Sequence, residues 1–586
     1  MDFFSFLTLL GGLALFLYGM DIMGDSLKKL AGGKLESILA KLTSNRIKGF
    51  FLGFAVTAII QSSSATTVML VGFVNSGIMK LGQTISIIMG ANVGTTVTAW
   101  LLSMTGINGD AFFIRILKPS SFTPILAVIG IMLAVFTKSD KKKNIGSILL
   151  GFAVLMFGME TMSDSMSGLK ESAAFLKLLT MFSNPVMGII AGTVVASIIQ
   201  SSSASIGILQ ALAAAGTIPF STAIPIILGM NIGTTVTPII SSLSGNREAK
   251  RVAFSCLYIK MIGVVIVTSV FYALIPVLGL GDFMASDSSV FTIAIIHTGF
   301  NVISTVILIP FCNLIEKLAI KTVKRGKKGV DDDMFATLDE RFLQMGSFAV
   351  EKSRELVCNM FDISVQSFFA ATDLLKEFDR DKFDNIIEEE NIVDKYEDKI
   401  STYLVKLAAQ ELSVNESREV TELLHCIGDI ERISDHAVNI AEVAKEIYDK
   451  KIDFSDEAKG EIKVISAAVR EILEITSTAL KDEDLSVAKA VEPLEQVIDK
   501  LKSKIRFNHI KRLQEGDCTI ELGFVLADLL TNYERVSDHC SNIAVCLLEI
   551  ANNSFETHEY LSHVKSEGAN EFFEQYDAYK KKYRLG

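Results

Sequence analysis

Gln61-Ser62-Ser63-Ser64 and Gln200-Ser201-Ser202-Ser203 each set one amide and three hydroxyls inside an otherwise apolar stretch. Hydroxyl and amide oxygens can ligate a hard cation such as sodium. Their hydrogens, with the free N–H groups of a half-helix N-terminus, can hold an oxyanion. Neutral donors suit an ion that must be released as well as held, where a fixed arginine cluster would bind an oxyanion too tightly. Asn92, Thr95 and Thr96, with Asn231, Thr234 and Thr235, place a second polar set in the apolar run that follows each serine segment. Adjacent threonines face about 100° apart on a helix, so one of each pair suffices to line a site. For a lone Ser-Ser, close helix packing between small residues is the better account. Two matching copies at equivalent turns favour the ion site.

The two copies belong to a longer repeat, which outranks local patterns as a guide to architecture. Gly19-Met20-Asp21 recurs as Gly158-Met159-Glu160, and Asp25-Ser26 as Asp164-Ser165. Gly90-Ala91-Asn92-Val93-Gly94-Thr95-Thr96-Val97-Thr98 recurs as Gly229-Met230-Asn231-Ile232-Gly233-Thr234-Thr235-Val236-Thr237. Every pair, the serine segments included, lies 139 residues apart with no gap. This is duplication.

The elements that carry these residues must cross a bilayer. Residues 1–330 hold long uncharged runs, such as 50–79 and 81–108, and a net charge of +12; residues 331–586 hold −23 and no such run. A span needs about 20 mostly apolar residues. Spans are expected near 3–20, 83–104 and 121–137, then near 146–162, 222–244 and 252–276, with an extra one near 290–312. The serine segments, near 46–78 and 185–217, are too broken by Ser, Gly and Pro to be plain spans and read as re-entrant hairpins. Three crossings per copy invert the second copy relative to the first. Loop charge agrees with this, because cytoplasmic loops favour Lys and Arg. With the N-terminus outside, the inner loops hold Lys28, Lys29, Lys41, Arg46, Lys48, Lys80, Lys138, Lys141–Lys143, Arg247, Lys250, Arg251 and the basic run 317–328, while Arg115 and Lys118 are outer exceptions. The first hairpin then opens inward and the second outward, as alternating access requires. Asp21, Asp25, Glu160 and Asp164 read as interfacial carboxylates. Lys260 reads as a snorkelling residue near the inner end of its span. His297 and Asn301 read as a helix-packing pair. No cleavable leader is evident. The seven scattered cysteines form neither a disulfide framework nor a metal motif.

Paired QSSS segments within inverted repeats resemble the type II sodium–phosphate cotransporter family over about residues 1–315. The resemblance implies sodium-driven movement of inorganic phosphate, with Gln61, Ser62, Ser63, Ser64, Gln200, Ser201, Ser202 and Ser203 near the phosphate and sodium sites. The chain lacks the large cysteine-containing loop that animal members place between repeats.

Past Val330, heptad-like apolar spacing with few Gly and Pro reads as helical bundles. A second duplication lies here: Asp429 to His436 with Asn439-Ile440-Ala441 recurs in Asn532 to His539 with Asn542-Ile543-Ala544. Helices are expected near 336–378, 381–412, 416–450, 456–482, 485–515 and 518–552. Glu390/Asp394, Glu431/Asp435, Glu495/Asp499 and Glu534/Asp538 each put two carboxylates on one helical face, a repulsion of about 0.2–0.5 kcal/mol per pair. Bridging by multivalent hard cations would relieve it, with iron, manganese, magnesium and calcium as candidates. The plainer account is a solvated acidic face with Arg432 and Arg535 in salt bridges. Asn439 and Asn542 extend the stripes. His436 and His539 lack a neighbouring nucleophile motif, which argues against hydrolysis. This half resembles PhoU domains over about 336–552, which implies sensing of phosphate status through metal-dependent contacts, with a cytosolic signalling protein as partner.

The expected fold is therefore all-α. Its parts are transmembrane repeat 1 (1–138), inverted repeat 2 (139–278), an extra span (279–315), a basic linker (316–335), a PhoU-like domain of two three-helix bundles (336–552) and a polar, loosely ordered tail (553–586). The expected protein is a multi-pass plasma-membrane transporter and no enzyme. Its N-terminus is outside, its C-terminal domain cytosolic, and its acidity unsuited to nucleic acid. The alternatives are a phosphate-sensing membrane regulator without transport, and a carrier of another oxyanion such as sulfate.

Overall fold

The computed structural model describes residues 3–31, 45–106, 119–166, 173–216, 218–324, 335–551 and 569–585. Lys41, Arg115, Lys118, the end of the basic linker at 325–334 and the tail stretch 552–568 lie outside the described residues. Among the described residues every long element is a helix, and the one extended pairing is an isolated bridge between Pro219 and Asp287. The chain divides into two compact units, Met1–Met345 and Gly346–Gly586.

Among the described residues of the first unit six helical stretches are long and apolar enough to cross a bilayer: Phe3–Leu30, Leu81–Gly106, Asp140–Met166, Phe220–Ser242, Arg247–Leu278 and Val290–Thr322. The segment expected to span near 121–137 is helical, but its apolar part, Ser121–Phe136, is shorter than those six. Two of the spans are broken. The first runs as Leu81–Gly94 and Thr96–Ser103, the second as Phe220–Gly233 and Val236–Ser242. Both breaks fall at the threonine pairs, directly after Gly94 and Gly233.

The repeat is legible in the packing. A Cβ on Gly90 would lie 1.9 Å from the Phe50 carbonyl oxygen, and one on its counterpart Gly229 would lie 2.0 Å from that of Ile189. Only glycine lets helix Leu81–Gly94 touch helix Arg46–Ile60 backbone to backbone, and Phe220–Gly233 touch Pro185–Ile199 likewise. The leading helices of the two repeats also meet. A Cβ on Gly19 would sit 2.4 Å from the Leu155 nitrogen, and one on Gly158 2.4 Å from the Phe16 nitrogen.

The segment after the last span returns to this unit. Phe342 is fully buried, with its ring centroid 5.5 Å from that of Phe73. Asn75 Nδ2 donates to Asp339 Oδ2 at 2.6 Å, the Asn246 N–H donates to Asn75 Oδ1 at 2.7 Å, and Arg341 Nη1 donates to the Ser241 carbonyl at 3.2 Å. These bonds tie the end of helix Ser63–Asn75 to the start of helix Arg247–Leu278.

In the second unit six long helices appear: Gly346–Leu374, Arg380–Ala408, Val414–Lys450, Asp456–Asp482, Val491–Glu515 and Ile520–Ala551. Asp379, Ser413 and Ser455 cap three of them through side-chain oxygens that accept first-turn N–H groups. The first helix begins ten residues later than expected, because 340–344 form a 3-10 turn that belongs to the first unit. The tail also corrects its expectation. Residues Ala569–Lys582 form a helix, with Phe572, Tyr576 and Tyr583 buried on one stripe and Lys582 Nζ 2.6 Å from Glu471 Oε1. Its three lysines in succession masked that aromatic spacing.

Candidate ion site between two serine-rich turns

Helix Arg46–Ile60 ends at Gln61, whose φ of 61° is left-handed, and helix Pro185–Ile199 ends at Gln200 with φ 56°. Side chains other than glycine rarely adopt this conformation, so the same uncommon bend twice is a shared device. After each bend a serine caps the return helix. Ser62 Oγ accepts from the Ala65 N–H and Ser201 Oγ from the Ala204 N–H, both at 3.2 Å. The return helices are Ser63–Asn75 and Ser202–Ala214. At about 1.5 Å per residue, each arm is shorter than a bilayer core of about 30 Å.

The two turns meet. Ser63 Oγ lies 3.3 Å from Ser202 Oγ, its counterpart 139 residues on. A second bridge crosses the repeats through Thr98, whose hydroxyl donates to Gln61 Oε1 at 2.6 Å and accepts from Ser203 Oγ at 3.3 Å. Ser64 Oγ is buried with no hydrogen-bond partner among the described residues. Gln61 is 7% exposed, whereas Gln200 is exposed and stands apart from this network.

The second polar set sits at the breaks of the two broken spans. Thr95, Thr96, Thr234 and Thr235 are buried, and each hydroxyl donates to a carbonyl of the helix before the break at 2.7–3.0 Å, which leaves oxygen lone pairs to accept or ligate. Asn231 is buried and its amide donates to the Ile227 carbonyl at 2.9 Å; Asn92 is half-buried.

Three residues of this region were not nominated from sequence. Thr98 stands in the repeated stretch but beyond the polar pair. Gln210, fully buried, donates to the carbonyls of Ala99 and Val290, both at 3.0 Å. Lys260 does not snorkel. It is 7% exposed, and its Nζ donates to Thr234 Oγ1 at 2.6 Å. The His297–Asn301 pair is a local one: Asn301 Nδ2 donates to the His297 carbonyl at 2.8 Å. Asp25 pairs with Lys28 at 3.0 Å.

In the second unit the acidic stripes differ. Ligand atoms of Glu495, Asp499 and Asp538 lie within 4.8 Å of one another, close enough to share one cation. Glu534 turns instead to Lys502 at 2.6 Å, and Arg535 reaches Asp538 at 3.6 Å. In the other stripe, burial and the charges of Asp435, Asp394 and Glu397 push Glu431 up to about 7. Burial, then neighbouring acids, also raise Glu390, Asp435, Asp499 and Asp538. Such crowding is what a bound hard cation would relieve. His436 Nδ1 pairs with Asn532 Oδ1 and His539 Nδ1 with Asp429 Oδ1, both at 2.8 Å, and the two rings stack 5.6 Å apart. Asn542 donates to Asp429 at 3.1 Å, away from the stripe it was expected to extend.

These features define a class: a helical membrane protein with a duplicated, serine-turned core, followed by a bundle unit. The sequence model of the Na+/Pi-cotransporter family matches residues 15–164 and again 155–304, and that of the PhoU domain matches 357–444 and 462–547. The chain belongs to the Na+/Pi-cotransporter family and carries two C-terminal PhoU domains. It is 23% identical over 565 residues to "Putative inorganic phosphate export protein YjbB" of Salmonella typhimurium, covering 95% of this chain and 100% of that one. Over 99 residues, 16% of this chain and 15% of the other, it is 37% identical to sodium-dependent phosphate transport protein 2A of Rattus norvegicus. It is also 27% identical over 232 residues to a phosphate-specific transport system accessory protein, PhoU homolog 1, of Thermotoga maritima, covering 38% of this chain and 98% of that one. These relatives are transporters and transport accessories, which places the chain in a non-enzymatic transport family.

Proposed function

We propose that the protein is a sodium-coupled carrier of inorganic phosphate that works by alternating access across the plasma membrane. In this reading each serine-turned helix pair is a re-entrant hairpin. The repeats are inverted, the N-terminus is outside, and the PhoU unit is cytosolic. Support comes from one observation above the rest: Ser63 and Ser202, from symmetry-related turns, lie 3.3 Å apart. Two bends that free backbone and hydroxyl groups at one point suit an ion that must shed its water there. The proposed ligands are Gln61, Ser62, Ser63, Ser64, Gln200, Ser201, Ser202 and Ser203, with Asn92, Thr95, Thr96, Asn231, Thr234 and Thr235 at the flanking breaks. The PhoU unit binds multivalent metal through its acidic stripes and relays phosphate status to a cytosolic partner. Uptake of labelled phosphate into proteoliposomes, with and without a sodium gradient of either direction, tests the core of this. Flux that follows the sodium gradient is expected, and no flux under any gradient would sink it.

A further inference from the structure

Lys260 is a buried ammonium in a place where such a group is costly. It lies near the middle of helix Arg247–Leu278, 7% exposed, and its only hydrogen bond among the described residues goes to the Thr234 hydroxyl at 2.6 Å. No carboxylate among the described residues pairs with it. A charged side chain at such depth needs a counter-charge or a wet, functional cavity.

Its depth follows from a register. Helix Arg247–Leu278 runs antiparallel to the return helix Ser63–Asn75: Asn246 bonds to Asn75 at one end, and the Cys256 thiol faces the Thr67 side chain further along. One more turn in the same direction carries the chain from Cys256 to Lys260, and from Thr67 back to Ser63 and Ser64. Lys260 therefore stands level with the first serine turn while bonded to the break of the second broken span. Buried groups without partners among the described residues include Ser64 Oγ on the turn and Nδ1 of His297 on the last span. The matching helix of the first repeat, Pro119–Phe136, contains no charged residue, so the charge is present once, not twice.

Resting on the phosphate-transport reading, we propose that Lys260 is the fixed cation of the transport site, an affinity-setting residue that offsets part of the phosphate charge at the serine turns. The turns alone supply neutral donors; one lysine adds attraction without the clamp of several arginines, and its strongly hydrated point charge favours release. An ammonium with no acid beside it is complementary to an arriving anion and needs no ion pair broken first.

The test compares full-length wild type with Lys260→Met and Lys260→Gln in proteoliposomes, measuring phosphate flux against phosphate concentration at fixed sodium. The expected result is a half-saturating phosphate concentration raised by about tenfold or more in both variants, with the maximal rate less affected. Gln keeps a donor for Thr234, so it carries the test if the Met variant fails to assemble. Unchanged half-saturation, or a fall in maximal rate alone, would assign Lys260 a merely structural role and overturn the proposal. If wild type carries no phosphate, the transport reading falls separately, and calorimetric titration of the detergent-purified chains with inorganic phosphate decides the lysine. Binding by wild type that is weakened in Lys260→Gln supports the proposal. Equal binding, or none by wild type, overturns it.

Discussion

The first and second serine turns are nearly identical in sequence and unequal in the structure. Gln61 is buried and bonded to Thr98, whereas Gln200, in the same left-handed conformation, is exposed. The counterpart of Thr98 is Thr237, and its hydroxyl is buried without a partner among the described residues. The two turns also sit in unequal surroundings, since the buried Lys260 of the second repeat has no charged counterpart in the helix Pro119–Phe136 of the first. One turn is latched to its broken span through Gln61 and Thr98, and the exposed Gln200 stands apart from its own. The PhoU unit repeats the lesson, since its second acidic stripe converges on a point and its first holds crowded acids apart from any such point.

The largest expected effects test what the turns share. Ser63→Ala and Ser202→Ala should each lower kcat/KM for phosphate by about one to two orders of magnitude, the cost of a lost donor to a charged group. Full activity in both variants would place the site elsewhere. The next test addresses what the stripes do not share. Asp538→Asn should weaken metal binding by about tenfold or more, and Asp435→Asn by less. Metal content unchanged when both are removed would exclude these ligands. The latch can be read directly on a cysteine-free background, where Gln200→Cys should react with a water-soluble thiol reagent about tenfold faster than Gln61→Cys. Equal rates would erase the difference between the turns.

The smallest effect is one of pH. Glu431 is raised to about 7 in the folded unit, so its protonated form favours folding. Its contribution is fully present below the ordinary carboxylate range and is lost as pH rises through 7. In excess chelator, wild type should melt about 1–3 °C higher at pH 5.5 than at pH 7.5, relative to the same difference in Glu431→Gln. His436, lowered by burial, acts in the opposite sense, which is why the comparison with Glu431→Gln is needed.

Much of this architecture is legible in the residues. An offset of 139 that holds from Gly19 to Thr98 is read without folding, so it locates both turns and both span breaks without knowledge of packing. Depth and facing of single side chains are different, because they depend on how neighbouring helices register. Lys260 reads as an interfacial lysine until the Asn75–Asn246 bond sets its helix against the serine turn. Thr98 looks like one more small residue of a span until Gln61 and Ser203 converge on it. The tail helix was hidden for another reason: its charge dominates its composition, while three aromatic side chains decide its fate.

The bonds around Asn75 have one more consequence. They fasten the return arm Ser63–Asn75 to helix Arg247–Leu278 of the second repeat, while Gly90 welds the leading arm Arg46–Ile60 to the first broken span. The two arms joined at Gln61 are thus fastened to different helices, one arm to the first repeat and the other to the second. Gln61, a single residue in an uncommon backbone conformation, is the one link between the two anchorages along this stretch of chain.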